Sequence, residues 1–220
     1  MSPDDHVSAA RNVFDVAAET YVRYVGTEVG PATEHAVDRA LLLGFVDLVT
    51  GHATAPVADV GCGPGRVAAF LADHGLDAVG VDPSPAMLAV ARTAHPGLQF
   101  DEGRLDALPI GTGALGGAVC WYSIIYTPLD GLDAAFDELA RVLRPGGFLL
   151  LAFQTGGTPV HREDAFGTHL PLTSYRHGVH EVTDRLERSG FRICTTTLRA
   201  PTLDHETTPQ GFVIATNHRR

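Results

Sequence analysis

From Pro56 onward the sequence predicts an α/β fold, a mainly parallel seven-stranded sheet covered by helices on both faces and closed by an antiparallel last strand. Three observations predict it. Short apolar runs near 57–61, 77–81, 97–101, 115–122, 147–153, 191–198 and 207–216 have strand length. Helical segments at 66–74, 84–94, 130–143 and 178–189 separate most of them, as crossovers between parallel strands require. The last two runs are instead joined by a short connection holding Pro201, which implies an antiparallel hairpin.

Two helices precede the sheet and form an amino-terminal helical cap over residues 1–52. Around His6 to Val25, the residues Val13, Val16, Ala17 and Tyr21 share one face. Around Glu34 to Val49, the stripe is Val37, Leu41, Gly44, Phe45 and Leu48. The strand at 57–61 runs into a glycine-rich turn and the helix from Arg66; the strand at 77–81 ends at Asp82 before "PSP". Pro145, Gly146 and Gly147 turn the helix at 130–143 into the fifth strand. Residues 154–177 lack a regular period and read as a long irregular substrate-side loop with three histidines. No repeat or linker divides the chain, so residues 1–220 read as a single domain.

Composition narrows the chemistry. All sixteen cations are arginine, and the missing lysine removes P-loop, Schiff-base and pyridoxal mechanisms. A net charge of -10 argues against a nucleic-acid partner. The run Phe148 to Phe153 is too short for a membrane span, and the first residues do not resemble a signal peptide, so a cytoplasmic protein is expected. Cys62, Cys120 and Cys194 have neither disulfide nor zinc spacing and read as buried small hydrophobes.

The stretch "VADVGCGPGRVAAFLADHG" carries the decisive pattern. Gly61, Gly63 and Gly65 permit positive φ and leave the backbone open to a ligand. The following helix directs its free N–H groups to the same place. Asp82, about twenty residues on, is placed to accept the two hydroxyls of a ribose. The spacing is G-x-G-x-G, and Asp59 stands two residues before the first glycine. An anion there repels a pyrophosphate but suits an ammonium group. The ligand indicated is a nucleoside joined to an amino acid, a description that S-adenosylmethionine meets.

On these residues the chain resembles the class I S-adenosylmethionine-dependent methyltransferases, with a Rossmann-like doubly wound sheet. "VADVGCGPGR" and "VGVDPSPAMLAVAR" are similar to the family's first two motifs, and "LDALPIGTGALGGAVCWYSIIY" and "ELARVLRPGGFLLLAF" to its fourth and fifth strand regions. "FDVAAETY", Phe14 to Tyr21, resembles the helix that closes over the donor in many small-molecule members. The resemblance implies that Asp59, Gly61, Gly63 and Gly65 hold the amino-acid end of the donor and Asp82 its ribose. It puts Pro83 and Met87 against adenine, Arg104, Leu105 and Asp106 at the adenine edge, and Cys120 on the donor side. Many members have an acid directly after the glycine matching Gly103. This chain has Arg104 there, which leaves Asp106 for the adenine amine.

The acceptor is less legible. Methyl transfer is an in-line displacement, so the protein mainly aligns two reactants and excludes water. A hydroxyl acceptor gains from a base. His169, among the apolar Leu170 and Leu172, is the candidate base, and Tyr126 the second catalytic candidate. Phe14, Tyr21, Trp121, Tyr122, Tyr175 and His177 are candidate substrate contacts, the aromatic rings suiting a sulfonium. His177 and His180 lack a third ligand, so no metal site is assigned, although magnesium held partly by substrate leaves little trace in sequence. No Asn-Pro-Pro-aromatic motif follows the fourth strand, against DNA-base methylation. A small-molecule acceptor is expected, foremost a sugar or secondary-metabolite hydroxyl. The alternatives are amine or carboxyl methylation and a non-catalytic donor-binding regulator. Either a monomer or a homodimer fits.

Overall fold

The computed structural model describes residues 3–52, 55–204 and 206–219. In chain order the elements are α1 (Pro3–Val25), α2 (Ala36–His52), β1 (Val57–Val60), α3 (Arg66–Asp73), β2 (Ala78–Asp82), α4 (Pro85–Ala94), β3 (Gln99–Glu102) and β4 (Leu115–Trp121). They continue as α5 (Leu132–Val142), β5 (Leu143–Gln154), β6 (Val160–Arg162), β7 (Leu172–Ser174), α6 (Val179–Arg188), β8 (Phe191–Arg199) and β9 (Gln210–Asn217).

The main sheet has the order β3-β2-β1-β4-β5-β9-β8. The five strands β1 to β5 pair in parallel, and β9 runs antiparallel to both β5 and β8. The predicted seven-stranded sheet with its antiparallel last strand is therefore present. Strand order reverses between β1 and β4, where ligands gather at the carboxyl ends of an open α/β sheet.

Period-two alternation sorts the core into two layers. From β4 and β5, Ala118, Cys120, Leu149, Leu151 and Phe153 pack toward Phe136 and Leu139 of α5 and Leu186 of α6. Val119, Trp121, Phe148, Leu150 and Ala152 face Leu42 and Phe45 of α2 and Leu71 of α3. Fully burying each such large side chain stabilises the fold by about 1.5–3 kcal/mol.

Four expectations need correction. On α1, Val16 is 65% exposed, while Val13 and Ala17 are buried. On α2 the buried stripe is Asp38, Leu42, Phe45, Val46 and Val49, so Val37 faces solvent. Asp38 is tolerated on that buried stripe because Arg199 donates to both its carboxylate oxygens at 2.7 and 2.8 Å. Cys194 lies exposed at a bulge in β8, unlike the buried Cys62 and Cys120. Finally, the 154–177 segment is not wholly irregular: β6 and β7 form an antiparallel hairpin within it. No helix among the described residues is long and apolar enough to cross a membrane.

Candidate active site

The site forms where β1, β2 and β4 end. Gly61 and Gly63 hold φ of 76° and 51°, in the left-handed region where glycine is preferred. A Cβ added to Gly61 would lie 2.2 Å from the Cβ of Ser123, so the loop after β1 and the exit of β4 touch without room for a side chain. Asp82 fastens this arrangement. Its carboxylate accepts the N–H of Gly63 at 2.8 Å and of Ser84 at 2.9 Å. Burial pushes its pKa up to about 6, against the lowering effect of those two bonds.

Asp59 is 1% exposed and accepts the N–H of Ala68 at 3.0 Å. Burial raises its pKa to about 7, only partly opposed by that bond and by Arg66. Ser84 caps α4, its hydroxyl accepting the N–H of Met87 at 3.2 Å and donating to Asp15 at 2.6 Å. Asp15 also accepts the N–H of Ala86 at 3.3 Å, so α1 is tied to the start of α4 beside Asp82.

Two connected cavities open from this point. The smaller, about 110 Å³, is walled by Asp82, Pro83, Met87, Gly103 and Leu105, with Phe14 and Arg11 of α1 above. The larger, about 580 Å³, extends past Asp59 and Arg66 to the β6–β7 hairpin and the loop before β9. Tyr21, Gly61, Gly63, Trp121, Tyr122 and Tyr126 line both. Phe14 meets Tyr21 and Tyr126 edge-on at centroid separations of 5.2 and 5.1 Å, and Tyr21 meets Phe166 at 5.4 Å. These rings from α1, the β4 exit and the hairpin roof the junction. Tyr122 is turned there by a backbone φ of 59°, a strained conformation for a bulky residue. Burial raises the pKa of the Tyr122 and Tyr126 phenols well above the ordinary tyrosine value.

Of the residues singled out from sequence, Asp59, Gly61, Gly63, Asp82, Pro83, Met87, Leu105, Phe14, Tyr21, Trp121, Tyr122 and Tyr126 line these cavities. The others do not. Gly65 supplies the left-handed start of α3 at φ 84°. Arg104 grips Asp106 through two bonds of 2.9 and 2.8 Å, so the two side chains engage each other. Cys120 faces the opposite core layer, its thiol pushed up to about 12 by burial. His169 has a 90% exposed side chain 3.4 Å from Asp164. Tyr175 bonds His6 at 3.0 Å. His177 is buried with its Nε2 on the Ile124 carbonyl at 3.2 Å, and burial lowers its pKa.

Sequence reasoning missed Asp15, Ser84, Ser123, Arg162 and Arg176. Ser84 had a signal, a serine before proline at a helix start. The others depend on tertiary placement. Among the described residues, no group of His, Cys, Asp and Glu is arranged to hold a metal.

A family profile described as "Methyltransferase domain" matches residues 57–147. A malonyl-[acyl-carrier protein] O-methyltransferase of Enterobacter lignolyticus is 35% identical over 101 residues, covering 46% of this chain and 39% of the relative. The namesake from Serratia marcescens is 26% identical over 205 residues, covering 87% and 76%. The chain thus spans about two fifths of the length of the Enterobacter relative. The magnesium protoporphyrin IX methyltransferase structure from Synechocystis, with bound S-adenosylmethionine, superposes with a TM-score of 0.70 at 18% identity, covering 96% of this chain and 97% of that one.

Proposed function

We propose, from the premise that residues 57–147 are a class I S-adenosylmethionine-dependent methyltransferase domain, that this chain methylates a small molecule at an oxygen that arrives already ionised, a carboxylate. One observation carries the finer reading: no histidine lines the cavities among the described residues, and each carboxylate that does already has a hydrogen-bond or ion-pair partner. Glu34 is paired with Arg66, and Glu206 with Arg199. Asp59 and Asp82 are engaged by backbone N–H groups. A hydroxyl would have to lose its proton to a positioned base, whereas a carboxylate needs none. The malonyl acceptor in the relatives' names agrees with this reading.

The residues fit the donor. Gly61 and Gly63 leave bare backbone at the junction, and Asp82, though held by two amides, still lines the smaller cavity where a ribose belongs. Pro83, Met87 and Leu105 give an apolar slot for adenine. Asp59, poised near neutrality, suits an ammonium group, which favours its ionised form. S-adenosylmethionine supplies a methyl group activated by its sulfonium. The chain's own part is alignment and exclusion of water. Tyr21, Trp121, Tyr122 and Tyr126 close the junction with ring faces that favour positive charge. The Tyr122 and Tyr126 phenols keep their protons and act as hydrogen-bond donors. We read residues 1–52 as the cap over the donor and 154–177 as the acceptor wall.

The test is transfer of a labelled methyl group to a panel of carboxylic acids, sugars, phenols and amines. Label entering the acids and released as methanol by mild alkali is the expected result. An alkali-stable methyl ether formed from a sugar or phenol would overturn the carboxylate reading in favour of the hydroxyl one.

A further inference from the structure

We propose that Arg162 and Arg176 form a subsite for a second, unreacting anionic group of the acceptor, so that the preferred substrate is a small organic dianion. This rests on the carboxylate reading above and goes beyond it.

The register of the hairpin carries the argument. Val160 pairs with Ser174, His161 with Thr173 and Arg162 with Leu172. Directly paired residues share a face, and successive residues alternate. His161 and Thr173 lie on one face, where their side chains bond each other at 2.9 Å. Val160, Arg162, Leu172 and Ser174 lie on the other, and all four line the larger cavity, as does Arg176 two residues further on. Arg162 sits across from Leu172 at one end of this face, and Arg176 lies two residues past the end of β7, beyond the Val160–Ser174 pair.

Neither guanidinium has a carboxylate partner among the described residues, in a chain where acids outnumber bases by 26 to 16. Arg176 donates to the hydroxyl of Thr207 at 3.2 Å, and its buried Nε has no partner. The nearby carboxylate, Glu206, is already held by Arg199. Neither arginine lines the smaller cavity. Arg162 borders the junction closely enough for its charge to act on the Tyr126 phenol, and Arg176 stands further along the wall of the larger cavity. A carboxylate or a phosphate-type anion meets the same chemistry.

The probes are α,ω-dicarboxylates from succinate to suberate, their matched monocarboxylates, and 6-phosphonohexanoate. Each is assayed for methyl transfer and, with S-adenosylhomocysteine present, for binding by calorimetry. One dianion should bind at least about tenfold more tightly than its monoanion, the worth of a charge-assisted bond. Arg162→Gln and Arg176→Gln should each erase most of that preference by raising KM for dianions far more than for monoanions, with S-adenosylhomocysteine affinity retained. Arg192→Gln, on the exposed β8, should leave the preference intact. Monocarboxylates methylated as well as dicarboxylates, or a preference that survives both substitutions, would overturn the subsite while leaving the carboxylate reading standing. Arginine-dependent dianion binding with no methyl ester formed would do the reverse. A preference confined to the phosphonate would identify the second anion as phosphate-like.

Discussion

Replacing Asp59 by asparagine removes a buried charge that the folded chain holds at a cost, and the size of that cost follows from its surroundings. The carboxyl group is 1% exposed, with the Ala68 N–H at 3.0 Å as its hydrogen-bond donor. Burial lifts its pKa from the ordinary 3.8 to about 7. The folded state therefore binds the proton more tightly than the unfolded chain. Below 3.8 both states are protonated and there is no penalty; as pH rises toward 7 stability falls, and above 7 the full penalty is present. At about 1.4 kcal/mol per pH unit, that gap amounts to as much as about 4 kcal/mol. For a chain of this length, each kcal/mol moves Tm by about 2–4 °C. Thermal unfolding of Asp59→Asn and wild type on both sides of pH 7 measures it directly. The variant should be the more stable above 7, with an advantage that shrinks on acidification, while its affinity for S-adenosylmethionine falls. A variant no more stable than wild type above 7, or one with the same advantage at every pH, would refute the reasoning.

Other substitutions test the remaining parts of the site. Gly61→Ala adds a Cβ 2.2 Å from Ser123 at a φ of 76°, and calorimetry should find binding of S-adenosylhomocysteine lost. Asp15→Ala removes the acceptor for Ser84 and Ala86; donor affinity should fall by about 1–3 kcal/mol, with faster amide exchange along α1. Arg199→Gln leaves Asp38 and Glu206 buried without their cation, and denaturant unfolding should show a loss of about 3–5 kcal/mol. Tyr126→Phe should hold kcat within a few-fold, since a phenol that keeps its proton is not the base; a drop of about 100-fold or more would restore it to that role.

What could be read in the sequence was whatever a ligand or the backbone demands of particular residue types. A strand, a turn with Gly61 and Gly63, a helix and a distant Asp82 form a pattern because each must let a nucleoside approach. The antiparallel β9 could be read from a connection too short to cross over. The stripe of α2 could not, because Asp38 is buried by a guanidinium 161 residues away. The β6–β7 hairpin escaped notice because three residues per strand are too few to show a period. That same alternation decides which side chains face the cavity, so nothing in the sequence separates Arg162 and Arg176, which line it, from the exposed His169. Cys120 was within reach: alternation along β4 sets it on the opposite layer from Trp121.

The position of β9 has a consequence for biosynthesis. β9, the last strand among the described residues, is an interior one, inserted between β5 and β8. Until it arrives, the apolar edge of β5 is unpaired along seven residues, Phe148 to Gln154, and at about 5–20 residues per second the ribosome takes about 3–11 seconds to travel from Gln154 to Gln210. During that interval the nascent chain displays a long, hydrophobic strand edge, the kind of surface that invites aggregation and chaperone capture. Asn217, at the end of β9, then donates to the carbonyls of Ala140 and Leu143 at 2.9 and 2.6 Å, so the final strand also secures the turn from α5 into β5.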